Sequence, residues 1–242
     1  MRLTDYNVLS FDCYGTLIDW ETGIVENLKL LTNKLKTAPQ PDKILETHAI
    51  CEARVQARHP TMKYSKLLAE VYKQIAAEWD IKVKPEESEL YGNSVGSWPA
   101  FEDSVRSLKI LKEHFQLAIL SNVDNSSFSK SNKRLGIDFD YIFTAEDVGT
   151  YKPNPKNFEF MLQNLAVSGI AKNQVLHVAE SLFHDHIPAN KFEIDNCWIY
   201  RRHQKEGFGA TKTPEKMPTF KFQFNSLVEL ADTAQKQTSK SN

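Results

Sequence analysis

Five short apolar runs, separated by stretches of helical length, constrain this 242-residue chain more than any other feature. They lie at residues 8–11, 116–120, 141–143, 174–178 and 196–200. Just ahead of the second run, Val105, Leu108 and Leu111 share one helical face, and between the later runs helices are predicted over 128–135 and 158–165. Strand, helix and strand in repetition pack as a parallel sheet covered on both sides. Right-handed crossovers then bring the C-terminal strand ends to one edge of the sheet. The predicted fold class is therefore α/β, a doubly wound, mostly parallel, Rossmann-like sheet.

Residues 20 to 95 interrupt that alternation. Ile24, Leu28, Leu31 and Leu35 recur on one helical face until Pro39 and Pro41 break the pattern. A second helix is expected over 42–59, stopping at Pro60, and Leu67, Leu68, Val71, Tyr72, Ile75 and Trp79 mark a third. The reading is a helical insertion of 20–95, placed after the first strand of a core formed by 1–19 and 96–242. Such a block could close over the polar sheet edge, with Arg54 or Arg58 facing the site across the gap.

A formal charge of −1 excludes the basic excess typical of nucleic-acid binders, yet leaves room for a small anionic partner. Cys13, Cys51 and Cys197 have no metal-ligand spacing and cannot all pair, which points to a reducing compartment. Cys13 reads as a small buried strand-end residue rather than a nucleophile. No signal peptide and no run of about 20 apolar residues is evident, so a cytoplasmic location is expected by elimination. Neither nucleic acid nor a membrane is an expected partner; a homodimer is allowed for. The polar end, residues 235–242, is expected to fray.

The chemistry lies in the residues just past each strand. The first run ends in Phe11-Asp12-Cys13-Tyr14-Gly15-Thr16-Leu17. An aspartate there can act as a nucleophile, or merely cap the next helix. Ser121 and Asn122 come after the second run, and Lys152 after the third, before Pro153 and Pro155. Glu180 and Asp185 come after the fourth. Ser121, Asn122 and Asp185 also suit helix capping, and Lys152 could be solvated. Together, however, a carboxylate, a hydroxyl, a cation and two acids on one edge compose a site for an anionic substrate. His177, His184 and His186 lack a recognised metal-ligand arrangement. Arg201-Arg202-His203 could reach the edge after the fifth strand. Gly207-Phe208-Gly209-Ala210 reads as a loop, not a phosphate cradle.

In their order, these blocks resemble the haloacid dehalogenase superfamily of hydrolases. The resemblance spans nearly the whole chain, and the inserted helices resemble that family's cap. It implies Asp12 as nucleophile, with Ser121-Asn122, Lys152-Pro153 and Glu180 with Asp185 as the second, third and fourth motifs. Thr16 and Asn122 would bind oxygens, Lys152 and Ser121 would position charge, and Asp185 would orient Lys152 or a water. Tyr14, Arg54, Arg58 and Glu180 would contact substrate. Phosphatases of the superfamily usually place a second aspartate where Tyr14 stands, and the Asp-x-Tyr-Gly-Thr-Leu run is similar to 2-haloacid dehalogenases. An alkoxide needs a proton to leave; halide does not. Glu180, Leu182 and Phe158 depart from the dehalogenase pattern. Dehalogenation of a small 2-haloacid without a cofactor is thus the first expectation. A Mg²⁺-dependent phosphatase using Asp12, Asp185 and Glu180 is the second, and a non-catalytic interaction protein the third.

Overall fold

The computed structural model describes residues 1–211 and 214–239. Six parallel strands form one sheet in the order β3-β2-β1-β4-β5-β6. They are β1 Val8–Phe11, β2 Gln116–Ser121, β3 Tyr141–Thr144, β4 Val175–Ala179, β5 Asn196–Ile199 and β6 Phe222–Phe224. The chain steps outward from β1 to β2 and β3, then returns across β1 to begin β4. The β1–β4 pair is therefore the switch point at which a crevice opens beyond the strand ends. Register puts Phe11 opposite both Ile119 and Val178, so the three central strands deliver their next residues side by side.

Strand alternation sorts the core into two layers. Leu9, Phe11, Leu117, Ile119, Leu176 and Val178 pack on the face shared with α6 (Ser104–Lys112) and α11 (Leu227–Ser239). Val8, Ala118, Leu120 and Val175 meet Phe158, Met161 and Leu165 of α9 (Lys156–Val167) on the other face. All four β1 residues are buried, as a strand covered on both sides requires. Three further helices complete this part: α7 Asn125–Leu135, α8 Ala145–Val148 and α10 Ile187–Lys191.

Between β1 and α6 lie α1 Trp20–Asn27, α2 Lys29–Thr32, α3 Pro41–Arg58, α4 Tyr64–Glu78 and α5 Pro85–Gly92. Pro41 opens α3 at the position where a missing N–H costs nothing. Leu67, Leu68, Val71, Tyr72 and Ile75 form the buried stripe by which α4 packs between α3 and α5. The outgoing and returning chains pair with each other. The Asp19 N–H donates to the Pro99 carbonyl at 2.8 Å, and the Phe101 N–H donates to the Leu17 carbonyl at 3.1 Å. The helical block is thus tied at its neck.

Three differences from the sequence reading stand out. The sixth strand was not expected: β6 is a three-residue sheet edge, too short for alternation to register. Pro85–Gly92 forms a further helix beyond the three that the sequence marked in the insertion. Residues 235–239 belong to α11, held by Leu227, Leu230, Ala231 and Ala234 at helical spacing, whereas 240–242 lie outside the described residues. Among the described residues, no helix is long and apolar enough to cross a membrane.

Candidate active site

The Asp12 N–H donates to the Val178 carbonyl at 3.0 Å, extending the β1–β4 ladder by one residue. This fixes the buried Asp12 carboxylate at the switch point. The chain then turns sharply at Gly15, with φ +94°, where a Cβ would stand 3.0 Å from the Trp20 indole nitrogen. The turn folds Thr16 back, so that its hydroxyl donates to Asp12 Oδ2 at 2.9 Å. The Thr16 hydroxyl oxygen in turn accepts the Glu180 N–H at 2.9 Å.

Lys152 reaches this point from the loop after α8 and is itself buried. Its ammonium donates to Asp12 Oδ1 at 2.9 Å, Asp185 Oδ1 at 2.7 Å and the Leu120 carbonyl at 2.7 Å. All three donors of the group are therefore engaged. Asn122 clamps the lysine's backbone at both ends, accepting from its N–H at 2.6 Å and donating to its carbonyl at 3.0 Å. The Asn122 amide, expected to bind a substrate oxygen, thus also holds the Lys152 backbone. Asp185 Oδ1 also pairs with His177 Nε2 at 2.9 Å, and His177 Nδ1 pairs with Ser10 Oγ at 3.2 Å. Asp185 Oδ2 and Ser121 Oγ are buried without a hydrogen-bond partner.

Two carboxylates sharing one ammonium cannot titrate independently. Burial and the Asp185 charge push Asp12 up, with Lys152 opposing them. Burial acts on Asp185 in the same direction, but Lys152 and His177 hold it below the usual carboxylate range. Against burial, the two aspartates push Lys152 up and keep it charged. Asp12 is therefore the first of the pair to take a proton as pH falls.

Above the triad is a cavity of about 30 Å³, which is room for a water or two. Tyr14, Ser121 and Asn122 join Asp12, Lys152 and Asp185 in its floor, while Ser181 and His184 stand at its side. Trp20, Glu52, Gln56 and Tyr64, all from the inserted helices, form its roof. A larger hollow of about 350 Å³ adjoins it, sharing Glu52, Gln56, Lys152 and His184. There Ala49, Ala53 and Ala57 line one wall, with Tyr151, Pro153 and Phe183 also on the lining.

The expected cap arginines are elsewhere. Arg54 is exposed and pairs with Glu78 at 2.5 Å; Arg58 is exposed as well, and neither borders the cavity. Their four-residue spacing does put them on one face, but it is the outer one. The inner face carries Ile44, Leu45, His48, Cys51, Glu52 and Val55. Arg201 is bound to Asp103 at 2.8 Å and to the Thr16 carbonyl, and Arg202 is bound to Glu21 at 2.6 Å. Glu180, expected to contact substrate, is not on the cavity wall. Burial and the Glu21 charge raise its carboxyl to about 8. The Tyr14 hydroxyl meets Ser131 Oγ at 2.8 Å, and burial raises the Cys13 thiol well above its ordinary value.

The residues present do not fit a divalent cation. Among the described residues no three His, Cys, Asp or Glu side chains converge as a metal-binding set, and Lys152 occupies the space between Asp12 and Asp185. His186 is tied to Asn196 and the Ala179 carbonyl, so the three histidines do not gather either.

Sequence reasoning missed Trp20, Glu52, Gln56, Tyr64, Ser181 and His184. A signal for two of them existed. His48, Glu52 and Gln56 recur every four residues along the apolar stripe of α3, where solvated residues have no place.

The profile described as haloacid dehalogenase-like hydrolase matches residues 6–182, the segment that holds Asp12, Ser121 and Lys152. The chain belongs to that family. It is a hydrolase of the α/β fold expected from its sequence. No curated protein sequence matches it significantly. Solved structures do. The defluorinating L-2-haloacid dehalogenase Rha0230 is 19% identical with a TM-score of 0.78, covering 97% of this chain and 99% of that one. The L-2-haloacid dehalogenase of Xanthobacter autotrophicus, with chloropropionic acid covalently bound, is 14% identical at a TM-score of 0.75, covering 95% and 98%. The HAD-hydrolase YfnB from Bacillus subtilis, bound to magnesium, is 18% identical at 0.74, covering 97% and 100%. At such identities the likeness speaks to the fold alone.

Proposed function

We propose that the chain cleaves the carbon–halogen bond of a small 2-haloacid by way of an ester on Asp12. The observation that carries this reading is what stands beside the nucleophile. Tyr14, two residues on, is a phenol turned to Ser131, and burial raises it well above its ordinary value. No proton donor for an alkoxide is built there, and halide needs none. The covalently bound chloropropionic acid in the Xanthobacter structure supports the same chemistry for this chain.

An Asp12 oxygen would attack carbon 2 in line with the departing halide, which leaves with its electron pair. Thr16 and Lys152 hold the carboxylate in orientation. Water would then add to the Asp12 carbonyl carbon and release the 2-hydroxy acid, leaving one proton for solvent. The unpartnered Oδ2 of Asp185 is the acceptor available to orient that water. Helices α1 to α5, which roof the small cavity, would act as a lid over bound substrate.

Halide release from 2-chloropropionate, abolished in Asp12→Asn, tests this reading. An Asp12 ester with the added mass of the substrate less its halide would support it, and release undiminished in that variant would overturn it.

A further inference from the structure

The roof of the cavity poses a charge problem. With Asp12 and Asp185 ionised and Lys152 charged, the floor is already net negative. Among the described residues on the cavity wall no second cation is present. The other donors there, among them Ser121, Asn122 and Gln56, are neutral. A substrate carboxylate would add a further buried negative charge, which is costly without a partner. Glu52 stands in the roof, where a cation would solve this. One of its oxygens accepts the Tyr64 hydroxyl at 2.8 Å, and the other has no partner among the described residues.

We propose that the Glu52 carboxyl, carrying its proton, holds the substrate carboxylate, so that an anionic substrate enters this pocket together with one proton. The proposal rests on the haloacid reading above. A neutral carboxyl can donate one strong hydrogen bond to a carboxylate. Ionised, it would repel the same group. The surroundings favour the neutral form. Burial raises Glu52 to about 7, opposed only by the Tyr64 hydrogen bond. Tyr64, Tyr91 and Tyr151 face it from α4, α5 and the loop after α8, and burial raises all three phenols. His48, one turn earlier on α3, is lowered by burial to about 3, and His184 across the cavity to about 4, so neither supplies a charge. Lys152, the remaining cation, is held by Asp12 and Asp185.

The test is the pH dependence of KM for two substrates that differ in one charge, 2-chloropropionate and 2-chloropropionamide. For the native protein, KM for the acid should rise about tenfold per pH unit once Glu52 ionises, as one linked proton requires. KM for the neutral amide should stay flat over the same range. In Glu52→Gln, which keeps a donor and cannot ionise, KM for the acid should be flat as well. In Glu52→Ala, KM for the acid should be roughly tenfold higher even at about pH 6, the loss of one hydrogen bond. A native KM for the acid that does not rise up to about pH 9 would overturn the proposal, as would a Glu52→Gln variant that tracks the native rise. Intact-mass and peptide-level detection of the Asp12 adduct separates the two levels. An adduct from the acid with a pH-independent KM defeats the Glu52 role alone; no adduct from either compound defeats the haloacid reading and the Glu52 role with it.

Discussion

Lys152 shows how one side chain can do two things at once. Its ammonium pairs with two buried carboxylates and also holds Asp12 in the cavity floor. Replacing it with Met strands both acids in a dry site, so Lys152→Met should lose about 3–5 kcal/mol of unfolding free energy in a denaturant melt. Activity should go with it, because an unpaired Asp12 would take a proton more readily still. The same reasoning gives the native pH profile its acid side. Burial and Asp185 raise Asp12, so kcat should fall as pH drops, with a midpoint above the ordinary carboxylate value. A kcat profile flat down to about pH 4 would contradict this. Asp12→Asn should lower kcat by roughly 10⁴-fold or more, as loss of a covalent nucleophile does.

Among the elements, Asp124 is the most revealing joint. Its side chain caps α7 by accepting the Ser127 N–H at 2.9 Å, and it also accepts the Ser65 N–H at the start of α4, at 3.0 Å. One carboxylate thus fastens the sheet domain to the helical block. Asp124→Ala should cost about 1–2 kcal/mol in thermal or denaturant unfolding. It should also speed hydrogen exchange at Ser65 relative to the strands. The strands and their polar ends were legible because the apolar runs are short and each ends on a distinct residue, as Phe11-Asp12 and Val178-Ala179-Glu180 do. The roof was not legible in the same way. Which face of α3 looks at the sheet edge depends on how α4 packs against it, and a search for arginines chose Arg54 and Arg58 on the outer side. Glu52 shares the inner face with His48 and Val55, and only that packing brings it over Asp12. The clamp of the Asn122 amide on Lys152 was likewise not legible, since it joins segments 30 residues apart.

For the whole molecule, buried acids set the dependence of stability on pH. Glu52 and Glu180 are raised to about 7 and about 8, so the native state holds their protons after the unfolded chain has released them. Their contribution is complete below the unfolded carboxylate range and is lost as pH rises through the folded values. The melting temperature should therefore decline between about pH 5 and about pH 8. Glu180→Gln should flatten that decline, and a native curve rising over the same interval would count against the assignment. The helical block that roofs the cavity of about 30 Å³ would act as a lid on the sheet edge. All of this depends on an ester at Asp12, and one measurement addresses it directly. A single turnover of 2-chloropropionate by excess enzyme is run in water enriched in oxygen-18, and both product and enzyme are analysed by mass spectrometry. Attack by Asp12 predicts unlabelled lactate and one heavy oxygen in the peptide that carries Asp12. Labelled lactate with an unlabelled peptide would mean that water attacks the substrate directly, and Asp12 would not be the nucleophile.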